Sequence, residues 1–148
     1  MSKKVFNLAA EQGNRAVLVS AQVESELGML ETEEKAEFLE TLGVDEGDCG
    51  LRSLVKISYS QLKLQTFYTA GPTETRAWTI PQGSLAPDAA GVIHSDLKRG
   101  FIRAEIMNSA DLLRLRSEKA VKEAGLLKSE GKDYAMREGD VALFRFNV

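Results

Sequence analysis

The sequence predicts an α+β fold, helical over its first part and rich in strands over its second. Three observations carry this expectation. Apolar residues recur at helical spacing through Leu62, and from residue 64 the period becomes strand-like. The second part then runs strand, strand, helix, strand, with further short elements behind. Turn-forming stretches, Gly71-Pro72-Thr73-Glu74 and Arg137-Glu138-Gly139-Asp140, separate its strands.

Residues 4–12 read as a short helix in which Val5, Leu8 and Ala9 share a face and Gly13 stops the turn. Ala16-Val17-Leu18-Val19, bounded by Arg15 and Ser20, is a continuous apolar run of the kind buried on both faces of a parallel sheet. Only the short helix precedes it, and one parallel strand cannot make a sheet. Residues 15–21 are therefore expected to be loosely ordered, packed locally on the helices, or paired with a second copy. Thr32 is placed to cap a helix whose first turn holds Glu33 and Glu34, favourable at the positive end of the helix dipole. Ala36, Phe38, Leu39 and Leu42 form its apolar stripe and Gly43 closes it. Asp45 to Gly50 reads as a polar loop, followed by a helix burying Leu51, Leu54, Val55, Ile57 and Leu62.

Leu64–Ala70 and Thr75–Ile80 form a predicted hairpin. Pro87 suits a first helical turn leading into Ala89-Ala90-Gly91-Val92-Ile93. Phe101–Met107 reads as a strand; Ser109 and Ser117 are expected to cap short helices, the second ended by Gly125. Lys132–Met136 and Val141–Val148 are expected to be the closing strands. In the last, Ala142, Phe144, Phe146 and Val148 alternate with Arg145 and Asn147, so one face is predicted to be buried. The ββαβ order fits a mixed β-grasp sheet.

The chain has 148 residues with 43% hydrophobic content, enough for a buried core, and no run approaches the roughly 20 apolar residues of a membrane span. No signal peptide is evident at the start, and Cys49 is the only cysteine, so no internal disulfide forms; cytoplasm is the expected compartment. The net charge of −3 is uneven: residues 1–63 carry 7 basic and 11 acidic side chains, residues 64–148 carry 12 and 11. These totals do not demand a nucleic-acid partner, so any basic patch must arise from local arrangement.

Three blocks resemble a known family. Thr66-Phe67-Tyr68-Thr69-Ala70-Gly71 leads to Thr75-Arg76-Ala77-Trp78-Thr79-Ile80. Gly91-Val92-Ile93-His94-Ser95-Asp96 leads to Gly100-Phe101-Ile102-Arg103-Ala104-Glu105-Ile106. Gly131-Lys132-Asp133-Tyr134 runs through Gly139-Asp140-Val141 to Phe144-Arg145-Phe146-Asn147-Val148. Long, ordered and correctly spaced, they are similar to segments of the YchF (EngD) family of Obg-related P-loop ATP/GTP-binding proteins. The resemblance covers residues 5–148. It implies a TGS domain of β-grasp (ubiquitin-like) fold over residues 64–148, a helical connector over 31–63, and the end of a G domain over 1–30 with its remnant strand. Val17-Leu18-Val19-Ser20-Ala21 is similar to the family's last nucleotide-pocket motif, so Ser20 and Ala21 would border the base.

A P-loop nucleotidase needs G-x-x-x-x-G-K-[ST], whose amides and lysine hold phosphate and whose hydroxyl serves Mg²⁺. Here Gly131-Lys132 is followed by Asp133, and no glycine stands five positions before Gly131. The resemblance places the family's ATP or GTP site, with its Mg, upstream. For this chain no cofactor and no hydrolysis are expected. His94-Ser95-Asp96 is no triad, because consecutive side chains diverge, and one His with one Cys cannot make a tetrahedral zinc site.

The resemblance implies ribosome or RNA association. The candidates are Arg76, Trp78, His94, Lys98, Arg99 and Arg103. Arg76 and Trp78 alternate on one strand and so share a face, setting a charge beside a stacking surface. Lys98-Arg99-Gly100 is a basic loop with room for close backbone approach. Against these stand ordinary readings: a solvated Lys-Arg pair, a core tryptophan, and a loop histidine bonded to backbone. Arg114, Arg116, Lys119 and Lys122 interleave with Asp111, Glu118 and Glu123, which suits a solvated helix face. The competing reading is a ubiquitin-like module that recruits proteins at exposed strand edges.

Overall fold

The computed structural model describes residues 2–44, 50–71 and 73–147 and divides into two compact units, Met1–Gln61 and Leu62–Val148. The first is helical: α1 (Ser2–Glu11), α2 (Ala21–Met29), α3 (Thr32–Thr41) and α4 (Gly50–Gln61). The second holds β1 (Leu64–Ala70), β2 (Thr75–Pro81), α5 (Ala86–Ile93), α6 (Ser95–Arg99), β3 (Phe101–Asn108), α7 (Ser109–Leu115), α8 (Glu118–Glu123), β4 (Lys128–Glu130) and β5 (Asp140–Phe146). No helix among the described residues is long and apolar enough to cross a membrane.

The apolar run 16–19 is not a strand. Residues 14–20 take no regular secondary structure, and no backbone hydrogen bond joins residues 15–19 to another described residue. Without neighbouring strands the ladder bonds that define a strand cannot form, and Leu18 is left 73% exposed. The backbone of Leu18 and Val19 instead lies against Gly50 at the start of α4. That helix end is held by the Glu24 carboxylate, which accepts from the Leu51 amide at 3.0 Å. The helix α2 is absent from the sequence reading, and Ser20 is its cap: the hydroxyl accepts from the Val23 amide at 3.4 Å. The cap of α3 is Glu31 rather than Thr32, in a reciprocal box with Glu34. Gly43 does close α3, with φ of +66° and the Val44 amide returning to the Leu39 carbonyl. The predicted loop over Asp45–Cys49 lies outside the described residues. Among the described residues Leu27 and Leu39 are the buried apolar side chains of this unit, with Val23 and Phe38 packed against them, whereas Leu51, Leu54, Val55 and Leu62, expected to be buried, are exposed.

The second unit is a five-stranded mixed sheet of order β2-β1-β5-β3-β4. Only β1 and β5 run parallel; the β1–β2, β3–β5 and β3–β4 pairs are antiparallel. The hairpin forms in the predicted register, from Leu64 opposite Pro81 to Ala70 opposite Thr75; Pro72 of its turn lies outside the described residues. One face buries the core: Phe67, Ile80, Ala104, Ile106, Ala142 and Phe144 meet Ala86, Ala89 and Ala90 of α5. The small residues of α5 let the helix sit close on the sheet. Phe67, fully buried, meets Phe144 edge to face at 6.0 Å between ring centroids. On the other face α7 and α8 cover only part, packing Leu112, Leu115 and Val121 on Met107, Val141 and Tyr68.

Three expectations need correction. Lys132–Met136 is not a strand; it makes a single bridge, Ala135 to Leu85, while the edge strand is Lys128–Glu130. The amides of Ala86 and Met136 bond Tyr134 and Ser84 carbonyls, so that segment stitches a loop rather than extending the sheet. Asn108, not Ser109, caps α7, accepting from the Ala110 amide at 2.9 Å. Phe146 is 46% exposed, so the buried alternation of β5 ends at Phe144; Val148 lies outside the described residues. Ser117 caps α8 as expected, and Gly125 follows its end.

Gly100 allows β3 and β5 to close at their ends. A Cβ there would strike the Asn147 carbonyl, whose residue donates its amide to the Gly100 carbonyl at 2.9 Å.

Candidate functional site

Most residues singled out by the sequence fall around the α5–α6 elbow and the first half of β2. His94 is the joint of the elbow. Its extended backbone ends α5 and begins α6, and its Nδ1 accepts from the Asp96 amide at 3.2 Å. Lys98 lies back across α5, its aliphatic stem on Gly91 and its Nζ 2.7 Å from Asp88 Oδ1. Arg99 pairs with Asp96 at 2.9 Å one turn away. His94 and Lys98 therefore have structural work in holding two short helices together.

Arg76 and Trp78 do share a face of β2, and the guanidinium lies over the indole with Cζ 4.7 Å from the ring centroid. Trp78 is half-buried against the core, and its Nε1 donates to Thr69 Oγ1 at 3.0 Å. Arg76 is exposed, with Glu74 at 4.0 Å. An open recess of about 430 Å³ separates this strand from the elbow, lined among others by Thr69, Arg76, Trp78, Ile93, Leu97 and Phe144. It offers an apolar floor with a cation and an indole on its rim.

Arg103 lies elsewhere, on the sheet face that α7 and α8 leave open. Its Nη2 is 3.2 Å from Glu105 Oε1, and Arg145 reaches the same carboxylate at 3.0 Å. The hydrogen bond from Arg145 holds the Glu105 carboxyl below its ordinary value, against desolvation and helped by Arg103. Sequence reasoning missed Arg145. It counted as the polar alternate of the last strand, and only the β3–β5 register reveals that it stands opposite Arg103.

Arg76, Lys98, Arg99 and Arg103 thus each have an acidic neighbour within 4.0 Å. Such exposed pairs are worth 0–1 kcal/mol and yield readily to a competing anion. Arg114 with Asp111 and Lys119 with Glu123 pair along their helices, as a solvated face does. Ser20 and Ala21 form the start of α2, in the other unit. No group of His, Cys, Asp and Glu able to hold a metal occurs among the described residues.

A second polar centre sits where β5 begins. Asp140 is buried, and its Oδ2 accepts from the Tyr134 hydroxyl and the Arg137 amide, both at 2.9 Å. Burial first, then the bond to Asp140 and its charge, push the Tyr134 hydroxyl up to about 12.

Comparison with known proteins gives concordant matches. The YchF-GTPase_C family, described as "Protein of unknown function (DUF933)", matches residues 64–147. The chain is 50% identical over 145 residues to the ribosome-binding ATPase YchF of Bacillus subtilis and 48% identical to that of Haemophilus influenzae. Each match covers 98% of this chain but 39% of the relative, so the chain spans about two fifths of the length of these curated relatives. The structure of the Schizosaccharomyces pombe YchF GTPase superposes with a TM-score of 0.80 at 33% identity, over 97% of this chain and 38% of that one.

Proposed function

The chain belongs to the YchF family, whose C-terminal region it matches, and on that premise we propose that it is a ribosome- or RNA-binding module that does not itself hydrolyse nucleotide. Relatives named ribosome-binding ATPases align along nearly its whole length, which supports the first half. The second half rests on chemistry: none of its 148 residues form the glycine-rich cradle with lysine and Ser/Thr that triphosphate cleavage needs. ATP or GTP with Mg is assigned to the remaining three fifths of the relatives' length. Ser20, whose hydroxyl is taken up in capping α2, and Ala21 would at most border a base there.

The proposed division is a G-domain end over residues 1–30, a connector over 31–63 and a TGS domain over 64–148. The strand order β2-β1-β5-β3-β4, with α5 crossing between the hairpin and β3, supports a β-grasp reading of the last. A cytoplasmic setting follows from the ribosomal partner.

The observation that carries the binding proposal is the Arg76–Trp78 pair at the rim of an apolar recess. A guanidinium above an indole presents charge to phosphate and leaves the recess beside it for an unpaired base. Arg99 and Arg103 are the secondary contacts; His94 and Lys98 act through the elbow. Co-sedimentation with ribosomes across a salt series tests this. Arg76→Ala should weaken binding about tenfold and flatten the salt dependence by about one charge, while Lys98→Ala should have a smaller effect. Unchanged sedimentation of Arg76→Ala would refute the assignment of this surface.

A further inference from the structure

The sheet face opposite α5 carries a gradient that the RNA reading does not use. Along β3 and β5 the cross-strand pairs run Met107–Val141, Glu105–Leu143, Arg103–Arg145. The first is buried under α7 and α8. The second sets a 42% exposed leucine beside a carboxylate. The third places two guanidiniums directly opposite each other, an arrangement that destabilises a sheet. Glu105 offsets part of this by bonding both, yet the set keeps a net positive charge, with each arginine side chain about half exposed (53% and 51%).

Next to this gradient lies an apolar groove of about 260 Å³ between α7 and the hairpin, lined by Tyr68, Ala70, Thr75, Leu112, Leu113 and Val141. Leu113 at its edge is 78% exposed. Ala70 and Leu143 follow Tyr68 and Val141 on the same face of their strands, so the apolar face beside the groove runs on along β5 toward Arg145. An apolar slot leading to two fixed, half-neutralised guanidiniums is complementary in charge and shape to a peptide, not to a polynucleotide. The side chains that stack bases are aromatic, and Tyr68, the aromatic ring lining this slot, is partly buried under α7.

We propose that this open face docks a protein segment in which a leucine-like side chain enters the groove and the carboxylates after it pair with Arg145 and Arg103. Glu105 presets the two guanidiniums for bidentate contact, lowering the ordering cost when the partner's carboxylates replace it. Ala70 and Leu143 also line the Arg76–Trp78 recess, so the two surfaces are told apart by Leu112, Leu113, Arg103 and Arg145, which that recess lacks.

The test is amide shift mapping of the whole chain titrated with three probes: a synthetic leucine-glutamate peptide, its leucine-lysine counterpart, and oligo(U). The acidic peptide should move Leu112, Leu113, Arg103 and Arg145, and the basic one should not. Arg145→Glu should weaken the acidic peptide about tenfold. Leu113→Ser, at a solvent-facing position that folding tolerates, should weaken it as well, and Arg76→Ala should leave it unchanged. Three outcomes overturn the proposal: no response to the acidic peptide, movement of the same amides by oligo(U), or concentration-dependent shifts without any probe, which would assign the face to a second copy.

Discussion

Replacing Tyr134 by phenylalanine should uncouple the start of β5 and give the loss a pH signature. The hydroxyl donates to Asp140 at 2.9 Å, and the same oxygen accepts the Arg137 amide, which closes the turn into the strand. Phenylalanine keeps the ring and removes one hydrogen bond to a buried carboxylate, at a cost of about 1.5–3 kcal/mol at neutral pH. In the wild type the folded state holds the phenolic proton, with the pKa raised from 10.0 to about 12. The unfolded chain gives its proton up first as pH rises through 10, so this contribution is full below that value and disappears toward 12. The shift corresponds to at most about 2.7 kcal/mol, reduced to about 1–2 by the ring's partial exposure. Urea unfolding followed by Trp78 fluorescence, at neutral pH and at about pH 11, measures both. The gap between wild type and Tyr134→Phe should be widest at neutral pH and narrow in alkali. Parallel pH profiles, or a neutral gap below about 0.5 kcal/mol, would refute the reasoning.

Two further outcomes are expected. Gly100→Ala should cost about 1–2 kcal/mol, because the added methyl displaces Asn147 and breaks its amide bond to residue 100; hydrogen exchange should show the Asn147 amide losing protection. The Glu105 carboxyl should titrate below 4.5 by NMR. The stability it lends should be present above that pH and lost as pH falls through the lowered value, and Arg145→Ala should move the titration back up.

The elements legible in the sequence are those whose signal is local. The hairpin shows its period and turn within one window, and α3, α5 and α8 carry stop or start residues of their own. What escaped depends on distance. The edge strand Lys128–Glu130 is three polar residues whose strand character comes wholly from pairing with β3, while Tyr134 to Met136 resembles a strand but gives its Met136 amide and Tyr134 carbonyl to the Ser84–Ala86 loop. The helix α2 buries Leu27 alone, so its apolar period is faint, and the likeness of Ser20-Ala21 to a nucleotide-pocket motif drew attention from the capping hydroxyl. At the candidate site, alternation placed Arg76 and Trp78 together, but nothing local signals that Lys98 reaches Asp88 or that Arg145 shares Glu105 with Arg103.

The slender apolar centre of the helical unit, Leu27 on Leu39, bears on how any melting curve of this chain is interpreted. The single tryptophan belongs to the sheet unit, so its fluorescence reports first on the sheet. Among the described residues those helices bury little of their own side-chain surface, which favours local opening at low free energy. Limited proteolysis should accordingly release a sheet-containing fragment beginning near Leu62, well before the tryptophan signal changes.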